Sequence, residues 1–317
     1  MKAIFIPVLL LCLPALYAQQ LPGNAPNAPN AQQHPGQTPT INVNVRLVNV
    51  FVNVTDDKGA PVPGLDKDDF AISEDGHPQK IAVFERETGM PLNVVLAIDT
   101  SGSVRKDSEI EAQAAHRFVH ALLRPVDRLA LFEFSDSVRE VVGFTNSINR
   151  IDRALNDIRG GAATALYSGV YLAAQSLAPS SGRKVLVLIS DGGNTVKGTT
   201  YDMALEEAVR GEAMIYSIID VPIYASAGRD LAGEHAMITL SQETGGKYYY
   251  ADSSSLDRTF EQVSEDLRTQ YLLGYYPQAH IPQDDSFRSI SVNLRHPAPQ
   301  MSYTIRNRTG YYPSSTP

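Results

Sequence analysis

Four apolar runs dominate the middle of the chain: Val94 to Ile98, Leu129 to Phe134, Val185 to Ile189 and Ile215 to Val221. None keeps a strict alternation with polar residues, so each must be covered on both faces, and that requirement leaves few architectures open. Helical periodicities separate the runs. Ile110, Ala114, Phe118 and Leu122 recur at one-turn spacing, as do Leu166, Val170, Ala174 and Leu177. A third series, Leu256, Phe260, Val263 and Leu267, follows the Ser253-Ser254-Ser255 cluster, which can supply an N-cap. Doubly covered strands separated by helices predict the α/β class, with a doubly wound, mostly parallel sheet between two helical layers. One pair departs from this rule. Val138 to Phe144 follows Phe134 so closely that only an antiparallel edge hairpin fits the connection.

The flanks are patterned differently. Ile41, Val43, Val45 and Leu47 are apolar in odd register, then Val48, Val50, Val52 and Val54 in even register. A period of two means strand, and the slip at Leu47/Val48 suggests a bulge or bend. Asp57-Lys58-Gly59 supplies a turn, after which Phe70 to Ser73 and Lys80 to Phe84 read as further short strands. These are too few to be stable alone. Ile290, Val292 and Leu294, with Tyr303 and Ile305, provide the missing partners in the tail. Residues 41–88 and 274–312 are therefore expected to pair into one small β-sandwich-like domain, with residues 91–272 inserted between its halves.

At the N-terminus, Lys2 precedes an apolar stretch from Ala3 to Leu13, then Pro14 and a processing site after Ala18. This reads as a secretory signal peptide over residues 1–18, because the apolar run is too short to span a bilayer. Residues 19–40, rich in Pro, Asn and Gln, bury too little to fold and read as a disordered tether. The single cysteine, Cys12, falls within the leader, so the exported part is thiol-free, a habit more typical of bacterial export than of animal secretion. No transmembrane segment is expected after leader removal, and the protein is read as secreted, to a bacterial periplasm, cell surface or medium. With 27 Lys and Arg against 35 Asp and Glu, the net charge of −8 argues against nucleic acid or anionic lipid as partner.

In a doubly wound sheet, ligands bind beyond the carboxyl ends of the strands, where strand order reverses. The first central strand runs into Asp99-Thr100-Ser101-Gly102-Ser103, and the strand ending at Ile189 runs into Ser190-Asp191-Gly192-Gly193. Between them, Gly160-Gly161-Ala162-Ala163-Thr164 opens a helix. These loops offer two carboxylates, Asp99 and Asp191, and three hydroxyls, Ser101, Ser103 and Thr164. All are hard oxygen donors, a set that suits octahedral Mg2+ or Mn2+, with one of about six positions left for water or an incoming carboxylate.

The D-x-S-x-S run, the loop ending in Thr164 and the S-D-G at Ser190 to Gly192 resemble, in the same order, the metal-ion-dependent adhesion site (MIDAS) of the von Willebrand factor type A (VWFA) domain. The resemblance spans residues 91–272 and implies a Rossmann-like fold. It also implies that Ser101, Ser103 and Thr164 ligate the ion through hydroxyls, that Asp99 and Asp191 bind it directly or through water, and that a partner's Glu or Asp completes the shell. The flanks resemble the VWFA-related proteins of acidobacteria through Val62 to Phe70, Tyr271 to Pro277 and Gly310 to Tyr312. That narrower resemblance implies no biochemical role.

Other chemistries fit less well. An aspartic-protease D-[TS]-G turn would need its glycine one place earlier than Gly102 and a second copy elsewhere in the chain. His116 and His120 stand at i, i+4 without the intervening Glu of an H-E-x-x-H motif, and are read as solvated or partly buried side chains. The 15 tyrosines suit strands and sheet rims. The expectation is thus an exported, non-enzymatic module that recognises an acidic group of a protein partner through Mg2+. A structural or assembly subunit of a bacterial envelope complex, with an architectural ion, is the alternative.

Overall fold

The computed structural model describes residues 47–86, 89–102, 108–220, 230–278, 285–297 and 302–313. Residues 1–46, where the sequence leads one to expect a leader, a tether and the first strand residues, lie outside them. Four strands open the described chain: β1 (Val48–Thr55), β2 (Phe70–Glu74), β3 (His77–Gln79) and β4 (Ile81–Arg86). The central part follows as β5 (Leu92–Asp99), α1 (Ser108–Leu122), β6 (Arg128–Phe134), β7 (Val138–Thr145), α2 (Ile148–Leu155), α3 (Leu166–Leu177) and β8 (Arg183–Ser190). It continues through α4 (Tyr201–Arg210), β9 (Met214–Asp220), α5 (Leu231–Glu243), β10 (Tyr248–Ala251) and α6 (Leu256–Arg268). The tail adds β11 (Tyr271–Tyr275), β12 (Arg288–Leu294), β13 (Thr304–Arg306) and β14 (Gly310–Tyr311).

The central sheet has the order β10-β9-β8-β5-β6-β7. Every neighbouring pair is parallel except β6 with β7, the antiparallel edge hairpin that the short connection requires. All eight residues of both β5 and β8 are buried, and the two-residue period divides them between two cores. Val94, Leu96 and Ile98 face α1, α2 and α6, where Phe118 and Phe260 stack with ring centres 4.4 Å apart. Val95 and Ala97 face α3, α4 and α5, against Leu166, Val170, Ala208 and Leu240. The continuous apolar runs thus have a direct cause: both side-chain registers of each strand are core. The fold is mixed α/β, Rossmann-like and doubly wound.

The flanks form two four-stranded sheets, β13-β1-β11-β4 and β14-β12-β2-β3. Each interleaves strands from both ends of the chain: Val50 lies opposite Leu273, and Ile72 opposite Val292. Their inner faces share one core of Val50, Val52, Phe70, Ile72, Leu273 and Val292. Neither flank supplies a complete sheet, so the sandwich exists only when both are present.

Only Thr269 and Gln270 separate α6 from β11, so the helical part leads straight into a flank sheet. The sandwich docks where the central helices end. Arg308 donates to Glu212, just past α4, at 2.8 Å, and Thr309 donates from its backbone to the Glu243 carbonyl at the end of α5 at 3.0 Å. Helix ends of this kind mark the amino-terminal pole of a parallel sheet, leaving the carboxyl ends of β5 and β8 uncovered by the sandwich. Among the described residues, no helix is long and apolar enough to cross a membrane.

Candidate metal site

The strand order reverses between β5 and β8, since β5 continues to β6 on one side while β8 continues to β9 and β10 on the other. Ile98 pairs with Ile189, so the residues that follow each strand emerge side by side. Asp99 is buried, with 1% of its surface exposed. One of its oxygens accepts the Ser101 backbone N–H at 2.9 Å, and the other accepts the Ser190 hydroxyl at 2.6 Å. Ser190 Oγ in turn accepts the Gly192 N–H at 3.1 Å, which couples the turn around Asp191 to the Asp99 carboxylate.

The Thr164 loop is tied to the same centre. Gly161 N–H donates to the Thr100 carbonyl at 3.0 Å, and Thr100 N–H donates to the Phe134 carbonyl at the end of β6 at 2.9 Å. Thr164, itself buried, donates its backbone N–H to Thr195 Oγ1 at 2.9 Å and accepts the Thr195 and Val196 N–H groups at 2.9 and 3.1 Å. Asp191 Oδ1 accepts the Gly193 N–H at 3.2 Å. A Cβ placed on Gly193 would lie 3.6 Å from Asp191 Oδ1 and 4.0 Å from Thr164 Oγ1, so carboxylate and hydroxyl face one small space.

Burial pushes the Asp99 carboxyl up to about 6, and the neighbouring Asp191 charge adds to the rise, against the hydrogen bonds from Ser190 and Ser101. Neither Asp99 nor Asp191 has an ion-pair partner among the described residues. Nor, among them, do three or more His, Cys, Asp or Glu side chains assemble in a metal-binding group. A cation at this end of the sheet would therefore depend on hydroxyl oxygens as much as on the two carboxylates. That donor chemistry fits Mg2+ or Mn2+.

Of the five residues expected from the sequence, Asp99, Ser101, Thr164 and Asp191 converge on these adjoining loops, while Ser103 lies outside the described residues. His116 and His120 sit on α1, and both contact the Asp152 carboxylate of α2, at 2.7 and 3.2 Å. They link two helices, His116 as a partly buried side chain and His120 as an exposed one. Sequence reasoning missed the contributions of Thr195 and of Ser190 as the partner of Asp99. The S-D-G run held a signal for the second; nothing near Thr195 marked the first.

Residues 94–194 match the family model described as the von Willebrand factor type A domain. Among solved structures, an aerotolerance-related membrane protein from Bacteroides fragilis, carrying multiple mutations to serines, is similar at 19% identity and a TM-score of 0.45, over 56% of this chain and 98% of that one. Proximal thread matrix protein 1 from the mussel byssus is similar at 14% identity and a TM-score of 0.50, over 62% of this chain and 50% of that one. The von Willebrand factor domain of Mfa5, a type V pilus tip protein from Porphyromonas gingivalis, is similar at 14% identity and a TM-score of 0.45, over 56% and 95% of the two chains. No curated protein gives a significant match. The central domain has the von Willebrand factor type A fold.

Proposed function

We propose that this type A domain belongs to an exported, non-enzymatic binding protein, which recognises an acidic group of a partner protein through a divalent cation, Mg2+ or Mn2+. Asp99, Ser101, Ser103, Thr164 and Asp191 would hold the ion, directly or through water. The supporting observation is Asp99: a buried carboxylate with no ion-pair partner among the described residues, facing a second carboxylate and flanked by hydroxyls. A buried anion left uncompensated is costly, and a cation removes that cost. The bound ion supplies a positive centre with an open coordination position, which a carboxylate from outside can fill. Both carboxylates of the constellation are committed as ligands, which leaves no general base within it. Export rests on the leader over residues 1–18.

Thermal unfolding in Mg2+, Mn2+ or EDTA, for the wild type and Asp99→Ala, tests the ion. At about 100 times the dissociation constant, a ligand specific to the folded state adds ~2.7 kcal/mol, a rise of about 5–10 °C for a domain of this size. The wild type shows that rise and Asp99→Ala does not. Equal melting temperatures in every condition defeat the site. Partner capture with and without chelator tests the rest: capture that survives EDTA assigns the ion an architectural role in an assembly subunit.

A further inference from the structure

The turn Ser135-Asp136-Ser137, between β6 and β7, contributes no residue to the oxygen constellation. Both oxygens of Asp136 are nevertheless spent on the loop that carries Thr164: Oδ2 accepts the Ala162 N–H at 2.8 Å, and Oδ1 accepts the Ala163 N–H at 3.1 Å. These are the two amides immediately before Thr164. The fit is close, since a side chain at Gly161 would overlap the Asp136 carboxylate and the Ser135 hydroxyl. Phe134, two residues before Asp136, accepts the N–H of Thr100, which stands between Asp99 and Ser101. The end of β6 thus holds one site loop by its backbone and the other by a carboxylate.

We infer that Asp136 is a positioning residue of the proposed metal site: without ligating the ion, it fixes the path of the Gly161–Ala163 backbone and so the place of the Thr164 hydroxyl. The inference rests on the metal-site reading given above. A stability role explains Asp136 poorly. Its side chain is exposed, it covers no core, and water can replace it on both amides. What water cannot reproduce is one rigid acceptor bridging two consecutive N–H groups at a set distance from the β6–β7 turn. Those two N–H groups hold the Asp136 carboxyl below the usual carboxylate range, so it stays ionised and acceptor-only. Asparagine at 136 would turn an NH2 toward one of the two amides, setting donor against donor.

Calorimetric titration of ion-free protein with Mn2+ tests the role, on the wild type, Asp136→Asn, Thr164→Ala and the double variant. Groups that orient metal ligands are worth about 10- to 100-fold in affinity, so Asp136→Asn weakens Mn2+ binding about tenfold, while the ion-free melting temperature stays at the wild-type value. In the Thr164→Ala background the same change weakens binding less than about twofold, because its effect passes through the missing hydroxyl. Full multiplication of the two losses overturns the inference, as does unchanged affinity in Asp136→Asn. A loss of ion-free stability that accounts for the loss of affinity overturns it too. Wild-type protein that takes up no Mn2+ defeats the site itself, and this role with it.

Discussion

Nη2 of Arg306 lies 2.7 and 2.9 Å from the two carboxylate oxygens of Asp266, and this pair joins a strand of the terminal sandwich to the last helix of the central domain. Both side chains are largely buried, at 17% and 6% exposure. Asn53 of β1 adds a bond from Nδ2 to the Asp266 carbonyl at 2.8 Å. Removing one partner of a buried pair strands the other's charge. Arg306→Met is expected to lower the unfolding free energy by about 3 kcal/mol, and Asp266→Asn in the same chain to recover much of the loss. Urea unfolding measures both; an unmoved midpoint for Arg306→Met refutes the coupling.

The start of α5 meets the Asp191 turn backbone to backbone. Asp230 caps the helix by accepting the Ala232 and Gly233 N–H groups at 3.1 and 3.0 Å, and any Cβ on Gly233 would overlap the Gly192 carbonyl. Gly192 itself has φ +93°, a conformation that other residues resist. Gly233→Ala must push the two segments apart, so it should cost about 1–3 kcal/mol and shrink the rise in melting temperature expected from a cation at the proposed site. Gly59→Ala is the control. Its φ of +79° makes it strained too, but it has open space around it and lies in the β1 turn region, so the ion response should survive. Equal ion responses in the two variants would show that the contact does not shape the site.

Asp127 gives the acid limb of stability. Its buried carboxylate accepts the Leu92 N–H at 2.9 Å, the Arg124 N–H at 3.0 Å and the Arg124 guanidinium at 2.9 and 3.1 Å. Burial alone would raise its carboxyl, but the Arg124 side chain and the two backbone donors outweigh burial and hold it below the ordinary 3.8. A lowered folded-state value means that the stabilisation is complete above the unfolded value and fades as pH falls through the folded one. Asp127→Asn should therefore lose about 2 kcal/mol at pH 7 and less as the pH drops below 4. Stability curves for the two proteins that stay parallel down to pH 2 would contradict this.

The parts of the fold legible in the chain are those whose local pattern has one physical solution. Runs such as Val185 to Ile189 have both side-chain registers apolar, so a buried parallel strand was the natural reading, and the residues at its end became candidate ligands. The shorter elements offered less. α2 is two turns long and polar on most of its surface, while β10 is four residues dominated by tyrosine. Neither length nor period separates such pieces from loops. The flank strands were legible singly, but not their interleaving: β2 and β11 belong to different sheets although both pair across the chain's two ends. Thr195 and Asp136 escaped notice for a related reason. Each acts on a loop tens of residues away, and a single sequence carries no trace of such contacts.

The tyrosines of the two tail motifs have a shared task. Tyr275 on β11 and Tyr311 on β14 donate their hydroxyls to the same Glu74 oxygen, at 2.5 and 3.1 Å, and Glu74 is fully buried at the end of β2. Tyr275 comes from one sheet, Glu74 and Tyr311 from the other, so the carboxylate bonds across the sandwich. Burial and the Glu74 partner push the Tyr275 phenol well above its ordinary value of 10, so its share of stability is intact below pH 10 and fades above it. Tyr275→Phe should cost about 1.5–3 kcal/mol, as the loss of a bond to a charged group does. Adding Tyr311→Phe removes the second of the two side-chain donors that Glu74 has among the described residues, a loss larger than either single change suggests. Replacing Glu74 by Gln in that double variant removes the stranded charge and should restore part of the stability. Urea unfolding of the four proteins decides the matter: if Glu74→Gln makes the double variant worse, the two hydroxyls are not there to satisfy a charge.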